Sequence, residues 1–494
     1  MCEFHLNGTS PLPHAHKLKA LSPPGDRTEI DMPNPRKIFR YMRHYGLKST
    51  VGLVKEKLLI DPKRFSPDKK RTLPSFPSGY KKAVLPTDIS ENAINILYLI
   101  HYFYPLKKGG TERFTLNLAK EQQRRGNRAV VLVLEANESA SLYNESFGDI
   151  LYRFYEYEGI LCIGFRHKKA PLGLYYKKID PNDVAMRDFA RHITEKCYID
   201  VVHATYPQPF TPFLAECKKI GVPYVVTCTD FCMMCHYSTM VDNNGDFCDG
   251  THEQTKCARI CKTYGCKDFK ERFANANEIL LGADAVTVPS EFVARVLSKE
   301  FPDVKFLPVA HGISDAFAYR ERSGSVKKFV YAGTLSPLKG VHLLIEAFKN
   351  LEAADISLEI YGDGDESYVK KLRELADDRI VFCGARPGSE MPAIYSEADC
   401  VIVPSMWYET YNFVLREALM TGALAIASDI GAMPEAVDVG ENGYLFTPAD
   451  RESLEECLKS ALKFDFSSYK KRNFPTIEDE GRIYAAIYTK ANKV

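Results

Sequence analysis

From residue 93 onward, short runs of aliphatic and β-branched residues alternate with stretches of helical periodicity, and the alternation persists to the carboxyl end. Residues 94–100 read as a buried strand, followed by a glycine-containing loop, a helix over 111–125 and a strand over 129–134. Apolar runs at 200–203, 224–227 and 285–288 extend the same series. Ser323-Gly324-Ser325 reads as a linker, after which strands recur at 329–332, 358–361, 380–382, 400–403, 424–427 and 443–446. Such alternation predicts parallel sheets with helices on both faces. The expected organisation is an extension over 1–90, a first doubly wound domain over 91–322 and a second over 323–475. Ligands of such sheets bind beyond the carboxyl ends of the strands, so the informative loops are those that follow strands.

Charge changes the picture only at the amino end. Between Arg36 and Arg71, twelve Lys and Arg face three acids, so the stretch carries +9 and the remainder −8 of an overall +1. The near balance argues against a chain-wide nucleic-acid surface. Ile38, Phe39, Met42, Leu47, Val51, Val54 and Leu58 recur there at helical spacing. A basic amphipathic arm suits an anionic membrane surface, and a solvated arm packed on its own domain fits equally. Apolar runs such as 94–100 are too short to span a bilayer, which takes about 20 residues. Met1-Cys2-Glu3-Phe4-His5 lacks the basic start and apolar core of a secretory signal. A cytoplasmic location is expected, peripheral to the membrane if the arm binds it.

Candidate chemistry concentrates after the strand at 400–403. Glu409 lies in the loop, and Glu417 about one turn into the following helix. A helix N-terminus offers unpaired N–H groups and a positive dipole end, which suits a phosphate. Carboxylates accept hydroxyl hydrogen bonds, so two beside an anion site suit a phosphorylated, hydroxyl-rich ligand. Two glutamates at this spacing, taken alone, also fit a solvated helix face.

The block Pro404-Ser405-Met406-Trp407-Tyr408-Glu409-Thr410-Tyr411-Asn412-Phe413, then Arg416-Glu417-Ala418-Leu419, resembles the donor site of family 4 glycosyltransferases. These are retaining enzymes of the GT-B fold. Five further blocks, all upstream, stand in the family's order. Gly333-Thr334-Leu335-Ser336-Pro337-Leu338-Lys339-Gly340 resembles the loop whose lysine holds the donor diphosphate. Tyr361-Gly362-Asp363-Gly364 is similar to the loop beside the nucleotide, and Val381-Phe382-Cys383-Gly384 to the segment edging the base. Gly109-Gly110-Thr111-Glu112 resembles the glycine loop against donor phosphate and acceptor, and His311-Gly312-Ile313 the hinge-side motif.

The resemblance implies two Rossmann-like doubly wound domains facing a cleft, the first binding the acceptor and the second the nucleotide sugar. It also implies a final helix over about 478–490, within 476–494, returning to the first domain. Carried over residue by residue, it makes Glu409 and Lys339 catalytic candidates, and Asp230, beside a departure from the family pattern, is the third candidate on its own chemistry. Gly110, Gly333, Thr334, Gly362, Gly384, Thr410, Tyr411, Asn412, Phe413 and Glu417 become the donor-binding ones. No catalytic metal is expected. Two departures stand out: Thr334 occupies a place where the family often has arginine, and Thr229 one where it often has histidine, with Asp230 following it. Asp230 could orient or deprotonate an acceptor hydroxyl, or be structural.

Seven of the 14 cysteines fall between 228 and 266. Their spacing suits tetrahedral zinc. A family subgroup with a cysteine-rich insertion matches at Cys235, Cys248, Cys257 and Cys261, which implies a structural metal; an iron–sulfur cluster or reduced thiols remain alternatives. The function expected is retaining transfer of a hexose-type sugar from a UDP- or GDP-linked donor to a glycan or lipid-linked hydroxyl acceptor. The pathway expected is cell-surface polysaccharide or lipid-linked oligosaccharide synthesis. The competing readings are a sugar-nucleotide epimerase of the same fold and a non-catalytic, metal-scaffolded binding protein.

Overall fold

The computed structural model describes residues 81–82, 93–135, 142–168, 180–252, 254–261 and 266–493. The basic stretch 36–71 and nearly all of the 1–90 extension lie outside these residues. Two Rossmann-like domains, each built on a largely parallel sheet, are present. In the first, strand Asn95–Ile100 lies between Arg128–Leu134 and Val201–Ala204, and the sheet continues through Tyr224–Thr227, Ala285–Val288 and Phe306–Pro308. In the second, the order is Ile380–Gly384, Ser357–Tyr361, Lys328–Ala332, Cys400–Val403, Leu424–Ser428, Gly443–Phe446, all parallel. The central strands are apolar at successive positions because helices cover both faces.

One end of the first sheet departs from the purely parallel expectation. Ile150–Tyr157 and Ile160–His167 form an antiparallel hairpin on Arg128–Leu134, and Lys81–Lys82 and Glu145–Phe147 pair with its outer strand. Glu158 and Gly159 both have positive φ, 49° and 82°, as a two-residue hairpin turn of matching twist requires. The strand Lys81–Lys82 takes the sheet into the span assigned to the extension.

The last helix, Ile477–Ala491, begins with a capping box between Thr476 and Asp479 and packs on helix Gly110–Arg124 of the first domain. Its Glu480 accepts from Gly312 N at 2.9 Å and meets His311 Nδ1 at 3.0 Å, tying the crossing to the connection between domains. Tyr484 and Tyr488 are fully buried in a polar network. His203 Nδ1 meets the Tyr488 hydroxyl and Nε2 meets Thr227 Oγ1, both at 2.7 Å, so this histidine is a satisfied core residue.

Burial pushes His203 down to about 3, against about 6.5 when unfolded. The unfolded chain therefore binds the extra proton between these values. Stability from the neutral ring is present above about 6.5 and lost as pH falls toward 3. By pH 5 the expected loss is on the order of 2 kcal/mol. Melting curves of wild type and His203→Gln at pH 7 and pH 5 check this. Wild type should lose more Tm than the variant on acidification, and equal losses would contradict the assignment.

Candidate functional site

The second sheet delivers three loops side by side, because Ser357–Tyr361, Lys328–Ala332 and Cys400–Val403 are adjacent and parallel. Leu335 N donates to Asp363 O at 2.8 Å, and Met406 N to Leu338 O at 2.7 Å, so loop 333–340 is zipped to both neighbours. Two glycines make these approaches possible. A Cβ on Gly340 would lie 1.9 Å from the Pro404 carbonyl oxygen, and one on Gly362 equally close to the Gly333 carbonyl oxygen. Both also have positive φ. Gly384 closes this end, accepting from Gly362 N at 3.0 Å. Thr334 is exposed, its carbonyl accepting from the Tyr331 hydroxyl at 2.9 Å.

Lys339 ends the turn Pro337–Lys339 and reaches Glu409, Nζ to Oε1 2.7 Å. Ser405 Oγ at 2.7 Å and Trp407 Nε1 at 2.6 Å donate to the same oxygen. Three donors on Oε1 leave Oε2 as the oxygen that can take a ligand hydroxyl. Glu409 is only 7% exposed although it lies in a loop. Burial works to raise its carboxyl, but Lys339, Ser405 and Trp407 outweigh it and hold the group below the usual carboxylate range. Trp407 serves here as a donor to Glu409, with Lys339 4.8 Å above its ring.

Helix Phe413–Met420 starts after Asn412, which sits at φ 63° and caps Leu415 N at 2.9 Å. One early N–H is thereby capped, and the others of the first turn have no partner within the helix. Tyr411 is buried and its hydroxyl bonds the His311 carbonyl, so its side chain serves the interdomain connection. Thr410 Oγ1 is likewise taken, by Thr229 O at 2.7 Å across the cleft. Glu417, 2% exposed, is ion-paired with Arg113 of the first domain.

On the facing side, Thr111 Oγ1 donates to Thr229 Oγ1 at 2.9 Å, joining the glycine loop to the loop after Tyr224–Thr227. Gly110 packs against Phe413, to which a Cβ would make ordinary contact at 3.9 Å. Asp230 is half-buried; its Oδ1 accepts from Cys232 N at 2.8 Å, and burial pushes its carboxyl up to about 6. The contacts thus bring Glu409 and Lys339 together and Gly110, Arg113 and Glu417 to the helix start, whereas the Asp230 carboxylate is bonded within its own loop to Cys232 N. Sequence reasoning missed Arg113; its place directly after Gly109-Gly110-Thr111-Glu112 was the available signal.

Cys235, Cys248, Cys257 and Cys261 line one cavity of about 20 Å³ with Met234 and Met240. Among the described residues, however, no group of three or more His, Cys, Asp or Glu stands in a metal-holding arrangement. The loop they occupy reaches the donor side, where Phe247 lies 5.4 Å from the Tyr408 ring, edge to face.

Residues 108–314 match the family model described as Glycosyltransferase Family 4, and residues 326–463 the model described as Glycosyl transferases group 1. YtcC of Bacillus subtilis is 29% identical over 273 residues, 45% of this chain and 65% of its own. The lipopolysaccharide 1,2-N-acetylglucosaminetransferase of Salmonella typhimurium is 30% identical over 201 residues, 36% of this chain and 52% of its own. The matches thus span less than two thirds of these relatives' lengths. Sucrose-phosphate synthase from Thermosynechococcus elongatus shares the fold at TM-score 0.56 and 18% identity, covering 81% of this chain and 98% of that one. Anabaena HepE in complex with UDP-glucose does so at TM-score 0.53 and 17% identity, covering 81% and 97%. The chain thus has the GT-B fold, with residues 108–314 similar to Family 4 glycosyltransferases and residues 326–463 similar to group 1 glycosyl transferases.

Proposed function

We propose that the protein is a retaining glycosyltransferase that moves a hexose-type sugar from a nucleoside diphosphate, UDP or GDP, to a hydroxyl acceptor. The observation that carries the reading is the convergence of Lys339, Glu409 and Glu417 on the start of helix Phe413–Met420, at the carboxyl ends of adjacent strands. Glu417 grips the ribose hydroxyls, and Glu409 Oε2 those of the transferred sugar. Departure of the diphosphate is the hard step, because negative charge builds on the leaving oxygen. Lys339 and the N–H groups at residues 411–413 stabilise that charge, so no catalytic metal is invoked.

The bond from the anomeric carbon to the phosphate oxygen breaks as the acceptor oxygen bonds the same face. The acceptor proton passes to the leaving phosphate, while Asp230 orients the hydroxyl. Support for the donor class comes from relatives of the fold solved with UDP, UDP-glucose and ADP. Support for cell-surface or lipid-linked glycan synthesis comes from the lipopolysaccharide transferase among the relatives. No helix among the described residues is long and apolar enough to cross a membrane; a peripheral contact at the cytoplasmic face belongs to the arm 36–71. Incubation with UDP-, GDP- and ADP-hexoses, with and without EDTA, tests the reading. Expected is nucleoside diphosphate release from one donor, unaffected by EDTA, with the product anomer matching the donor's. An inverted product would overturn retention, and chelator sensitivity the metal-free step.

The cysteine loop has a supporting role in this reading. The four cysteines line one small cavity without standing in a metal-holding arrangement, so a structural zinc would have to draw their thiolates together, and its closed shell would leave no position for water. Held there, the loop keeps Phe247 on Tyr408, beside Glu409. Elemental analysis should find one zinc per chain in wild type and none in Cys257→Ser. Iron with acid-labile sulfide would replace zinc by a cluster, and a metal-free wild type would remove the site.

A further inference from the structure

Arg113 crosses between domains. It lies in the first turn of helix Gly110–Arg124, yet its guanidinium ion-pairs with Glu417 and stacks 4.7 Å from the Phe413 ring. Phe413 is the first residue of the helix whose N–H groups face the anion position. The arginine remains 30% exposed, whereas Glu417 is 2% exposed, so the cation has room to move and the carboxylate does not.

Charge around the donor position makes this placement informative. The loops 333–340, 362–365 and 404–412 carry one cation, Lys339, against Asp363, Asp365 and Glu409. Glu417 adds a further carboxylate, and Lys339 is already held by Glu409 at 2.7 Å. A diphosphate entering this set meets a net negative surround, and Thr334 contributes no charge. A cation from the first domain would offset the charge of these second-domain loops, and the Arg113 guanidinium already lies 4.7 Å from the Phe413 ring at the helix start.

We propose that Arg113 is a diphosphate-binding residue supplied by the first domain. Ribose hydroxyls replace the guanidinium on Glu417, and the freed guanidinium turns onto the diphosphate, where its fork can bind two oxygens. Donor binding and contact between the domains are thereby coupled. This inference rests on the donor-site reading above.

The test is equilibrium binding to wild type, Arg113→Ala, Arg113→Lys and Arg113→Ala/Thr334→Arg. The probes are uridine, guanosine and adenosine with their mono- and diphosphates. For the base that wild type binds, Arg113→Ala should lose at least about tenfold in affinity for the diphosphate. It should bind the nucleoside as well as wild type or better, because Glu417 is no longer occupied. Arg113→Lys should recover part of the diphosphate affinity, and Thr334→Arg should restore it from the other side of the anion. Equal losses for nucleoside and diphosphate would reduce Arg113 to a structural clamp and overturn the proposal, as would wild-type diphosphate affinity in Arg113→Ala. A wild type that binds none of the probes would instead overturn the donor site itself.

Discussion

Replacing Lys339 by alanine is expected to lower kcat/KM for the sugar donor by about 10²–10³-fold while leaving the fold in place. In the proposed mechanism the ammonium faces a position where charge develops as the diphosphate leaves, so its loss should be felt in the transition state more than in binding. The same change has a second consequence. Glu409 is buried, and Lys339 is the main influence holding its carboxyl below the usual range against that burial. Without the lysine, Ser405 and Trp407 remain as donors to Oε1, and burial lifts the carboxyl. In wild type, the depressed Glu409 contributes stability that is present above about 4.5 and lost as pH falls through its folded value. In Lys339→Ala that contribution shrinks. Steady-state kinetics with circular dichroism and melting across pH 4–7 check both parts. Full activity in a folded Lys339→Ala would sink the donor-site assignment and favour a non-catalytic binding protein.

Replacing Glu417 by alanine should act mainly on binding. The ribose keeps its hydroxyls throughout the reaction, so a contact to them stabilises ground and transition states alike. KM for the donor should rise about 10–100-fold with a much smaller change in kcat. The fold should tolerate the change, because Arg113, the partner left behind, is partly exposed and reaches water. Kinetics at saturating donor separate the two parameters. A loss confined to kcat would mean that Glu417 acts on the reacting bond, contrary to the role assigned here.

The elements that carry the site were legible because each left a local mark. Strands such as Cys400–Val403 and Tyr224–Thr227 are short apolar runs closed by turn residues, and the structure ends them where the pattern does. Loop 333–340 was legible through its resemblance to the family's lysine loop, and the structure shows why it ends in Gly340, whose close approach to Pro404 leaves no space for a side chain. The hairpin of Ile150–Tyr157 and Ile160–His167 was passed over although Glu158-Gly159 offers a two-residue turn. Its aromatic and charged residues alternate less cleanly than the buried strands, since the pair lies toward the sheet's edge. The burial of Glu409 could not be read from its loop position. It depends on Lys339, 70 residues away, and on Ser405 and Trp407 turning inward. Arg113 and Glu417 are 304 residues apart on different domains, and no local pattern announces such a pair.

The most direct measurement is a calorimetric titration of UDP, GDP and ADP into wild type, Lys339→Ala and Glu417→Ala. The account predicts that one nucleotide binds wild type at one site per chain, and that both variants bind it markedly more weakly. Wild-type affinity in both variants, or no binding of any of the three to wild type, would contradict it.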